Sequence, residues 1–483
     1  MYVPQIVLII VALLAIVLWF AGGYQQEAQL KNDRPSLPAV LLASWLIASA
    51  VFGPAFFVLR VAGIFDITIE RLIFSAVIFV LVIGLFTGNV RFHSNITIEI
   101  IMGIFGMFCI LSMIRTGFIR IAPEFVSPWF VFISGYLFPF IVFIFAKNYI
   151  TREKDMTLIL HALFYLGIYL SITAFFEYTN LRQFVFPRYI NDFEIGIHTD
   201  RARGPFLNAP FNGVGILIGL ISGLHLLQKK TGFAKVFYQA ALLLFFPAVF
   251  FTLTRAVYLG LLIVLFIFIG WYKTSFSKWK LLSLPLAIIL IVGVTSSPRL
   301  LSTERREGGV AQTEEVSIRF ALMKRSIYLF MNQPFTGVGF AQFAPSSIQS
   351  YTGPVASIEA GGLSIIQHSH LMGIGAEMGI PGLLAYLTLI IMTLSRLKQL
   401  AGKLPEAGIM GNNLRIVIFA IWCVYLNNNL FVEPTTSIFT NAAPFLFAGV
   451  ADGLYRRSLE SGLLSPSPIR MSHSPMRIIN SHV

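Results

Sequence analysis

The stretch HSHLMGIGAEMGIPGLLAYLTLIIMTL, residues 368–394, opens with two histidines and a glutamate and runs into a strongly apolar segment. Residues 383–394 carry no charge, as is typical of a helix that crosses a bilayer. The sequence GIPG at 379–382 predicts a kink or a loosened helix just before that segment. The stretch therefore predicts a membrane helix with ionisable groups at its start.

The composition extends this prediction to the whole chain. Of 483 residues, 56% are hydrophobic and only 12% are charged, and mean hydropathy is +0.78, whereas about a quarter of a soluble domain is charged. Apolar runs of roughly 17–25 residues recur, each long enough to span a bilayer. We expect an all-α, polytopic transmembrane bundle of about 13 spans, or 12 if the first run, Pro4–Gly22, is not a span. That run has neither a basic residue before it nor a cleavage motif after it, so we expect a retained helix.

Basic residues recur in alternate connections between the predicted spans, and the positive-inside rule assigns those connections to the cytoplasm. Segments 177–210 and 297–369 are then extracytoplasmic. We divide the chain into N-terminal transmembrane helices (1–190), a second transmembrane region with the long outer loop 297–369 (191–455), and a disordered cytoplasmic tail (456–483) that is rich in Ser and Pro. Cys109 and Cys423 lie inside apolar runs and predict no disulfide framework.

The predicted outer segments are unexpectedly rich in arginine. Arg255 lies in a very short break between two spans, where a cation is costly unless it faces a polar cavity or a partner. Arg305 and Arg306 have the pattern of solvated loop charge. The arginines of these segments that are candidates for a site are Arg201, Arg203, Arg255 and Arg319.

Guanidinium groups form a planar fork that matches phosphate oxygens and stay charged at any physiological pH. The chain has no P-loop, paired acidic motif or Cys/His cluster, so we expect no metal, no cofactor and no nucleic-acid partner. The natural membrane-borne anion outside the cytoplasm is a lipid-linked sugar diphosphate. The arginines would then stabilise the diphosphate leaving group.

Within the long outer loop, residues 317–343 predict an amphipathic helix that ends near Met331, where Asn332-Gln333-Pro334 stops it. Gly337 and Gly339 predict a turn after it. This helix is too short to span, so we expect it along the outer membrane surface.

His368 and His370 are two residues apart, so on a helix they point to different faces, which argues against a shared metal. Glu377 is predicted to lie deeper in the bilayer. From the residues alone, a solvated histidine at the interface and a functional one are equally good interpretations.

The stretch is similar to the signature of the bacterial O-antigen ligase/polymerase-like superfamily, in which His and Asn, Ser or Gln are followed by nine free positions, Gly, two free positions, and Gly, Thr or Tyr. His368, Ser369, Gly379 and Gly382 match all four positions. Three further segments resemble the family in its order, namely RARGPFLNAPFNG, TLTRAVYLG and SIRFALMKRSIYLFMNQPFTGVGF, and the resemblance covers about residues 195–395.

This resemblance implies a GT-C-like, metal-independent glycosyltransferase of the bacterial inner membrane with an extracytoplasmic active site. We expect His368 to be the general base and Arg201, Arg203, Arg255 and Arg319 to bind the diphosphate, while His370 or Glu377 orients His368. The donor would be a glycan on a polyprenyl diphosphate, held among membrane lipids. The acceptor would be a glycan or a glycolipid.

Three functions remain open at this point: ligation of a glycan onto an acceptor, polymerisation of lipid-linked repeat units of a surface polysaccharide, and transport or flipping. A transporter typically carries ionisable groups near mid-bilayer in broken helices. Here the candidates crowd one boundary, which favours glycan transfer, whether ligation or polymerisation.

Overall fold

The computed structural model describes residues 34–60, 66–88, 90, 96–118, 126–272, 313–349 and 368–464. Within these ranges the chain is an α-helical bundle with one two-stranded antiparallel hairpin. The first predicted span, Pro4–Gly22, lies outside the described residues, as do Arg305 and Arg306. The predicted total of 12 or 13 spans therefore stays a prediction.

The elements in chain order are α1 (Leu37–Val51), β1 (Leu59–Arg60), β2 (Asp66–Ile67), α2 (Ile69–Phe86), α3 (Thr97–Thr116), α4 (Pro128–Tyr149), α5 (Glu153–Tyr178), α6 (Ala209–Leu227), α7 (Gly232–Phe251), α8 (Arg255–Trp271), α9 (Thr313–Asn332), α10 (Phe343–Gln349), α11 (His370–Gln399), α12 (Asn413–Phe431) and α13 (Ile438–Leu464). Eight of them, α2 to α7 with α11 and α12, are long and apolar enough to cross a membrane. The predicted polytopic helical bundle is therefore present in the described part of the chain.

The helices form where apolar runs meet capping residues. Ser36 accepts the amide N–H of Ala39 before α1, and Asn208 accepts that of Phe211 before α6, which satisfies donors that a helix start leaves free. Nearly every residue of α6 is buried, so α6 is the central helix. By contrast, α2 exposes large apolar side chains such as Phe79 and Phe86, as a lipid-facing helix does.

The alternation of helices brings three connections to one end of the bundle, which we call the loop end. It carries residues 179–208 between α5 and α6, residues 252–254 between α7 and α8, and His368 before α11. The amide N–H of Ala202 donates to the carbonyl of Phe251 (3.1 Å), which joins the first two connections directly. The loop end is therefore where widely separated segments meet.

The opposite end holds compensated basic residues. Asp452 of α13 lies 2.7 Å from Lys147 of α4 and 2.7 Å from Arg396 of α11, and all three side chains are buried. Glu99 also pairs with Lys147. These ion pairs tie four helices together, α3, α4, α11 and α13, since breaking a buried pair leaves an uncompensated charge.

The chain end differs from the expected disordered tail at 456–483. Helix α13 continues to Leu464, so residues 456–464 are helical. Tyr455 packs under the cations of Arg396 and Lys403, and Arg456 lies 3.8 Å from Glu460 one turn on. These contacts extend the helix past the point where Ser and Pro become frequent, and residues 465–483 lie outside the described part. The boundary at 190 stays a prediction, because one buried apolar cluster runs from Ala39 to Ala451.

Candidate active site

Arg203 organises the long connection between α5 and α6. Its guanidinium donates to the carbonyls of Ile195 (2.6 Å), Ile190 (2.8 Å) and Asp192, and the side chain is fully buried. The carboxylate of Glu177, at the end of α5, accepts the amide N–H groups of Arg203 and Gly204. The polar groups of Arg203 are thus mostly taken up by the protein itself.

Arg201, two residues earlier, has a different environment although it is also buried. One terminal nitrogen donates to the hydroxyl of Thr254 at 3.5 Å, and Nε lies 3.7 Å from Asp200. Nε and the second terminal nitrogen have no hydrogen-bond partner among the described residues. A buried, unsatisfied donor costs free energy, so hydrogen bonds from this guanidinium to an anion would be favourable.

Two further arginines complete a cluster with Arg201. Arg255 is the first residue of α8, directly after the connection that contains Thr254, and its side chain is exposed. Arg319, in the first half of α9, lies within electrostatic range of both Arg201 and Arg255. Three like charges repel one another, and an anion bound among them would relieve that repulsion.

His368 lies beside this cluster. The side chain is half-buried, and burial followed by the positive charge of Arg319 lowers the pKa of His368 below its ordinary value. The imidazole is therefore neutral at pH 7 and can accept a proton.

His198 is a member of the site that the sequence reasoning missed. Its Nδ1 accepts the amide N–H of Ala209 at 3.4 Å, which leaves the proton on Nε2. Burial lowers the pKa of His198 to about 3, with added repulsion from Arg201, His368 and Arg319. The signal was its place in segment 177–210, only three residues before Arg201.

His370 points away from His368 into a buried polar network. Nδ1 lies 2.8 Å from Glu433 and Nε2 lies 3.3 Å from the hydroxyl of Tyr136. Tyr136 belongs to a π-helical turn of α4, Ile133–Leu137, and such turns are frequent at functional sites. Neither Glu433 nor Tyr136 was a sequence candidate, because each ends or interrupts an apolar run without a motif.

The turn after α9 packs backbone to backbone against α11. The amide N–H of Gly339 donates to the carbonyl of Glu377 (2.9 Å), and that of Ile380 donates to the carbonyl of Pro334 (2.7 Å). Gly337 has φ +61°, and a Cβ there would lie 2.2 Å from the backbone of Glu377. Gly379 has φ +65°, is not helical, and a Cβ there would lie 2.5 Å from the Pro334 carbonyl oxygen. The glycine of the signature therefore makes room for the turn, and the predicted kink is present.

The side chain of Glu377 also stabilises the contact between this turn and α11. Its carboxylate accepts the amide N–H groups of Ala341 (2.9 Å) and Phe343 (3.1 Å) at the start of α10. Arg115 at the end of α3 donates to the carbonyls of Thr336 (2.9 Å) and Gly337 (2.7 Å) on the other side of the turn. Glu377 thus fixes the connection between α9 and α10.

The structure brings together four of the predicted site residues, Arg201, Arg255, Arg319 and His368. The guanidinium of Arg203 instead donates to carbonyls of the connection between α5 and α6. His370 and Glu377 form hydrogen bonds with residues other than His368. The amphipathic helix expected to end near Met331 is α9, which ends at Asn332. The cluster can therefore bind an anion beside a neutral imidazole.

Thermal unfolding separates the roles of the two neighbouring arginines. Arg203→Ala should lower the melting temperature of the purified protein, because three loop carbonyls lose their donors. Arg201→Ala should lower it much less, since only the long contacts to Thr254 and Asp200 are lost. Equal losses of stability in both variants would show that Arg201 is also a structural support.

A comparison with protein-family models finds that residues 240–387 match the model of the O-antigen ligase family. The comparison with curated proteins found no match. The matched region contains Arg255, Arg319 and His368 and ends after Gly382, whereas Arg201 precedes it. Together with the eight apolar helices, the match describes a multi-pass membrane protein with a glycan-processing role of the ligase or polymerase type. The resemblance seen in the sequence is therefore confirmed: residues 240–387 match the O-antigen ligase family, which supports the assignment to the O-antigen ligase/polymerase-like superfamily.

Proposed function

We propose that this protein transfers a glycan from a polyprenyl-diphosphate carrier to a sugar hydroxyl of a glycan or glycolipid acceptor, as an O-antigen ligase does. The observation that supports this most strongly is the set of Arg201, Arg255 and Arg319 beside the half-buried His368. The cluster has two unpartnered buried nitrogens on Arg201 and one carboxylate, Asp200, beside that side chain. It has the composition of a site for a strongly anionic group next to a base.

The proposed reaction exchanges one bond at the anomeric carbon for another and transfers one proton to His368. His368 takes the proton of the acceptor hydroxyl as that oxygen bonds to the anomeric carbon. The bond from the anomeric carbon to the diphosphate oxygen breaks, and the polyprenyl diphosphate leaves with the electron pair. The arginines hold the charge that grows on the leaving group. Attack opposite the leaving group inverts the configuration.

We also propose the orientation. Basic residues such as Lys147, Lys229 and Arg396 lie at the end of the bundle opposite to the loop end. The positive-inside rule then puts the loop end outside the cytoplasm, in the bacterial inner membrane. The lipid-linked glycan donor would be met on that side, and the proposed arrangement is GT-C-like, with the site at the outer ends of membrane helices.

The same site would serve a polymerase if the acceptor were another lipid-linked repeat unit. Deletion of the gene separates the two functions. Loss of glycan attachment with accumulation of lipid-linked polymer indicates a ligase, whereas single units on the final acceptor indicate a polymerase. Unchanged envelope glycans would contradict both.

His368→Ala should reduce transfer by roughly 10²–10⁴-fold while binding of the lipid-linked donor persists, because the base acts on the acceptor proton. The measurement is a gel assay of product alongside donor binding in nanodiscs. His370→Gln should lower thermal stability, since it disturbs the pair with Glu433, and should reduce the turnover of the folded fraction far less than His368→Ala does. Normal transfer by His368→Ala with an inactive but stable His370→Gln would assign the base to His370.

The pH profile tests the environment of His368. Its pKa is lowered in the folded protein, so the neutral base persists to below pH 6.5 and kcat/KM should fall only as pH drops through that lowered pKa. Arg319→Gln removes a positive charge and should shift this acid limb to higher pH, whatever its effect on the maximal rate. Arg188→Gln, an exposed arginine of the same outer segment, should not shift it. An acid limb that stays in place in Arg319→Gln would argue against His368 as the titrating group.

Arg255→Ala should lower kcat/KM at least about tenfold, since a lost contact to a charged group is worth roughly 1.5–3 kcal/mol. Arg255→Lys should recover only part of the rate because it keeps the charge but loses the planar fork. Arg188→Ala is the matched control and should behave as wild type. Equal losses at both positions would mean that bulk positive charge, rather than a site, sets the rate.

We propose that the reaction needs no metal, since guanidinium groups supply the positive charge for the leaving diphosphate. Transfer by purified protein should then be unchanged after dialysis against EDTA. A rate that falls with EDTA and returns with Mg²⁺ or Mn²⁺ would overturn this part of the mechanism.

A further inference from the structure

A cavity of about 370 Å³ lies at the loop end, on the side of the N-terminal helices. It is formed by the end of α1 and residues 53–55 after it, the starts of α2 and α4, segment 189–211, and residues 436–438 at the start of α13. Its volume falls within the range of small-molecule sites, roughly 300–1,000 Å³. Its polar and aromatic lining residues are Ser49, Glu70, Phe130, Tyr189, Phe206, Asn208, Phe211, Thr436 and Ser437.

Glu70, in the first turn of α2 after the capping residue Thr68, is the acidic residue of this cavity. The side chain is 1% exposed, and its Oε1 has no hydrogen-bond partner among the described residues. Among the described residues that line the cavity, it is the only one with a charged group. Burial of a carboxyl oxygen without a donor costs free energy, so a ligand that supplies the donor would restore the balance.

The lining combines the two kinds of surface that a sugar ring needs. Aromatic rings of Phe130, Tyr189 and Phe211 offer flat apolar faces for the C–H groups of the ring. The carboxyl of Glu70 and the hydroxyl of Ser437 offer hydrogen bonds for its hydroxyls. A carboxyl is the wrong group for a diphosphate, which would be repelled. The chemistry therefore fits a neutral, hydroxyl-rich ligand.

The cavity and the arginine cluster share one wall. Gly196, Ile197 and Leu207 line the cavity, and the same segment carries His198 and Arg201 toward the cluster. The first sugar of the donor is bonded directly to the diphosphate, so it must lie beside the arginines. A sugar in the cavity is therefore a different one, either a distal sugar of the donor or a sugar of the acceptor.

We propose that this cavity is a saccharide-binding subsite, with Glu70 as its hydrogen-bonding residue, that holds either the acceptor or a distal sugar of the donor glycan. This rests on the proposed glycan transfer for its role, but the binding itself is measured independently. The probe is the oligosaccharide released by mild acid from the surface polysaccharide of a bacterium that expresses the protein.

The experiment measures binding of this oligosaccharide to full-length protein in nanodiscs by saturation-transfer NMR. Glu70→Ala should weaken binding about tenfold to a hundredfold, because the sugar hydroxyl that pairs with the carboxyl would be buried without a partner. Glu70→Gln should lose less, because its amide oxygen still accepts. Ala55→Trp, at an exposed lining position, should fill the cavity and abolish binding without disturbing the core. Asp66→Asn, an exposed carboxylate on β2 outside the cavity, is the matched control and should bind as wild type.

Transfer kinetics then identify the source of the sugar. A raised KM for the acceptor in Glu70→Ala assigns the acceptor to the cavity, whereas a raised KM for the donor assigns its distal sugar.

Unchanged oligosaccharide binding in Glu70→Ala and Ala55→Trp would overturn the inference. If these variants instead lost binding of farnesyl diphosphate, the cavity would be a lipid site and the inference would also be overturned. Wild-type protein that binds the saccharide but transfers nothing would refute the proposed function alone. Normal transfer with no effect of the cavity variants would refute the subsite alone.

Discussion

The contact between the turn at 334–340 and the start of α11 is the constraint on which the candidate site depends. Two backbones can come this close only where no side chain stands between them, and Gly337 and Gly379 meet that condition from opposite sides. The hydrogen bonds from Gly339 and Ile380 then hold α9 beside α11. Since Arg319 is on α9 and His368 precedes α11, this contact brings the charge and the base together.

The second constraint is electrostatic. The buried cations at the opposite end, Lys147 and Arg396, share the carboxylate of Asp452, and Arg203 is satisfied by loop carbonyls. Arg201 has only a 3.7 Å ion pair with Asp200 and a 3.5 Å hydrogen bond to Thr254, and two of its buried nitrogens make no hydrogen bond among the described residues. Buried donors without an acceptor cost stability, and a cost of this kind is usual at functional sites.

The sequence predicted what local patterns encode. Apolar runs predicted the bundle, Gly379 and Pro381 predicted the kink, and the stop at Asn332 predicted the end of α9. It could not predict contacts between distant segments. Glu433 reaches His370 across 63 positions, and nothing in its own neighbourhood marks it as a partner. The hydrogen bonds of Glu377 could not be predicted either, because their donors are backbone amides of a turn that only tertiary packing brings near it.

Arg201 and Arg203, and likewise His368 and His370, are pairs of like residues two positions apart in which one residue contacts the protein and the other lies in the cluster. In the connection between α5 and α6, Arg203 donates to loop carbonyls, while two nitrogens of Arg201 make no hydrogen bond among the described residues. At the start of α11, His370 is held by Glu433 and Tyr136, while His368 lies beside Arg319. In each pair the second residue, Arg203 or His370, anchors the backbone next to the first. The position of Arg201 or His368 depends on that anchor, because a side chain on a loop is positioned only as well as its backbone is held. The segments that bring Arg201 and His368 together are therefore anchored by polar contacts that the apolar pattern alone does not predict.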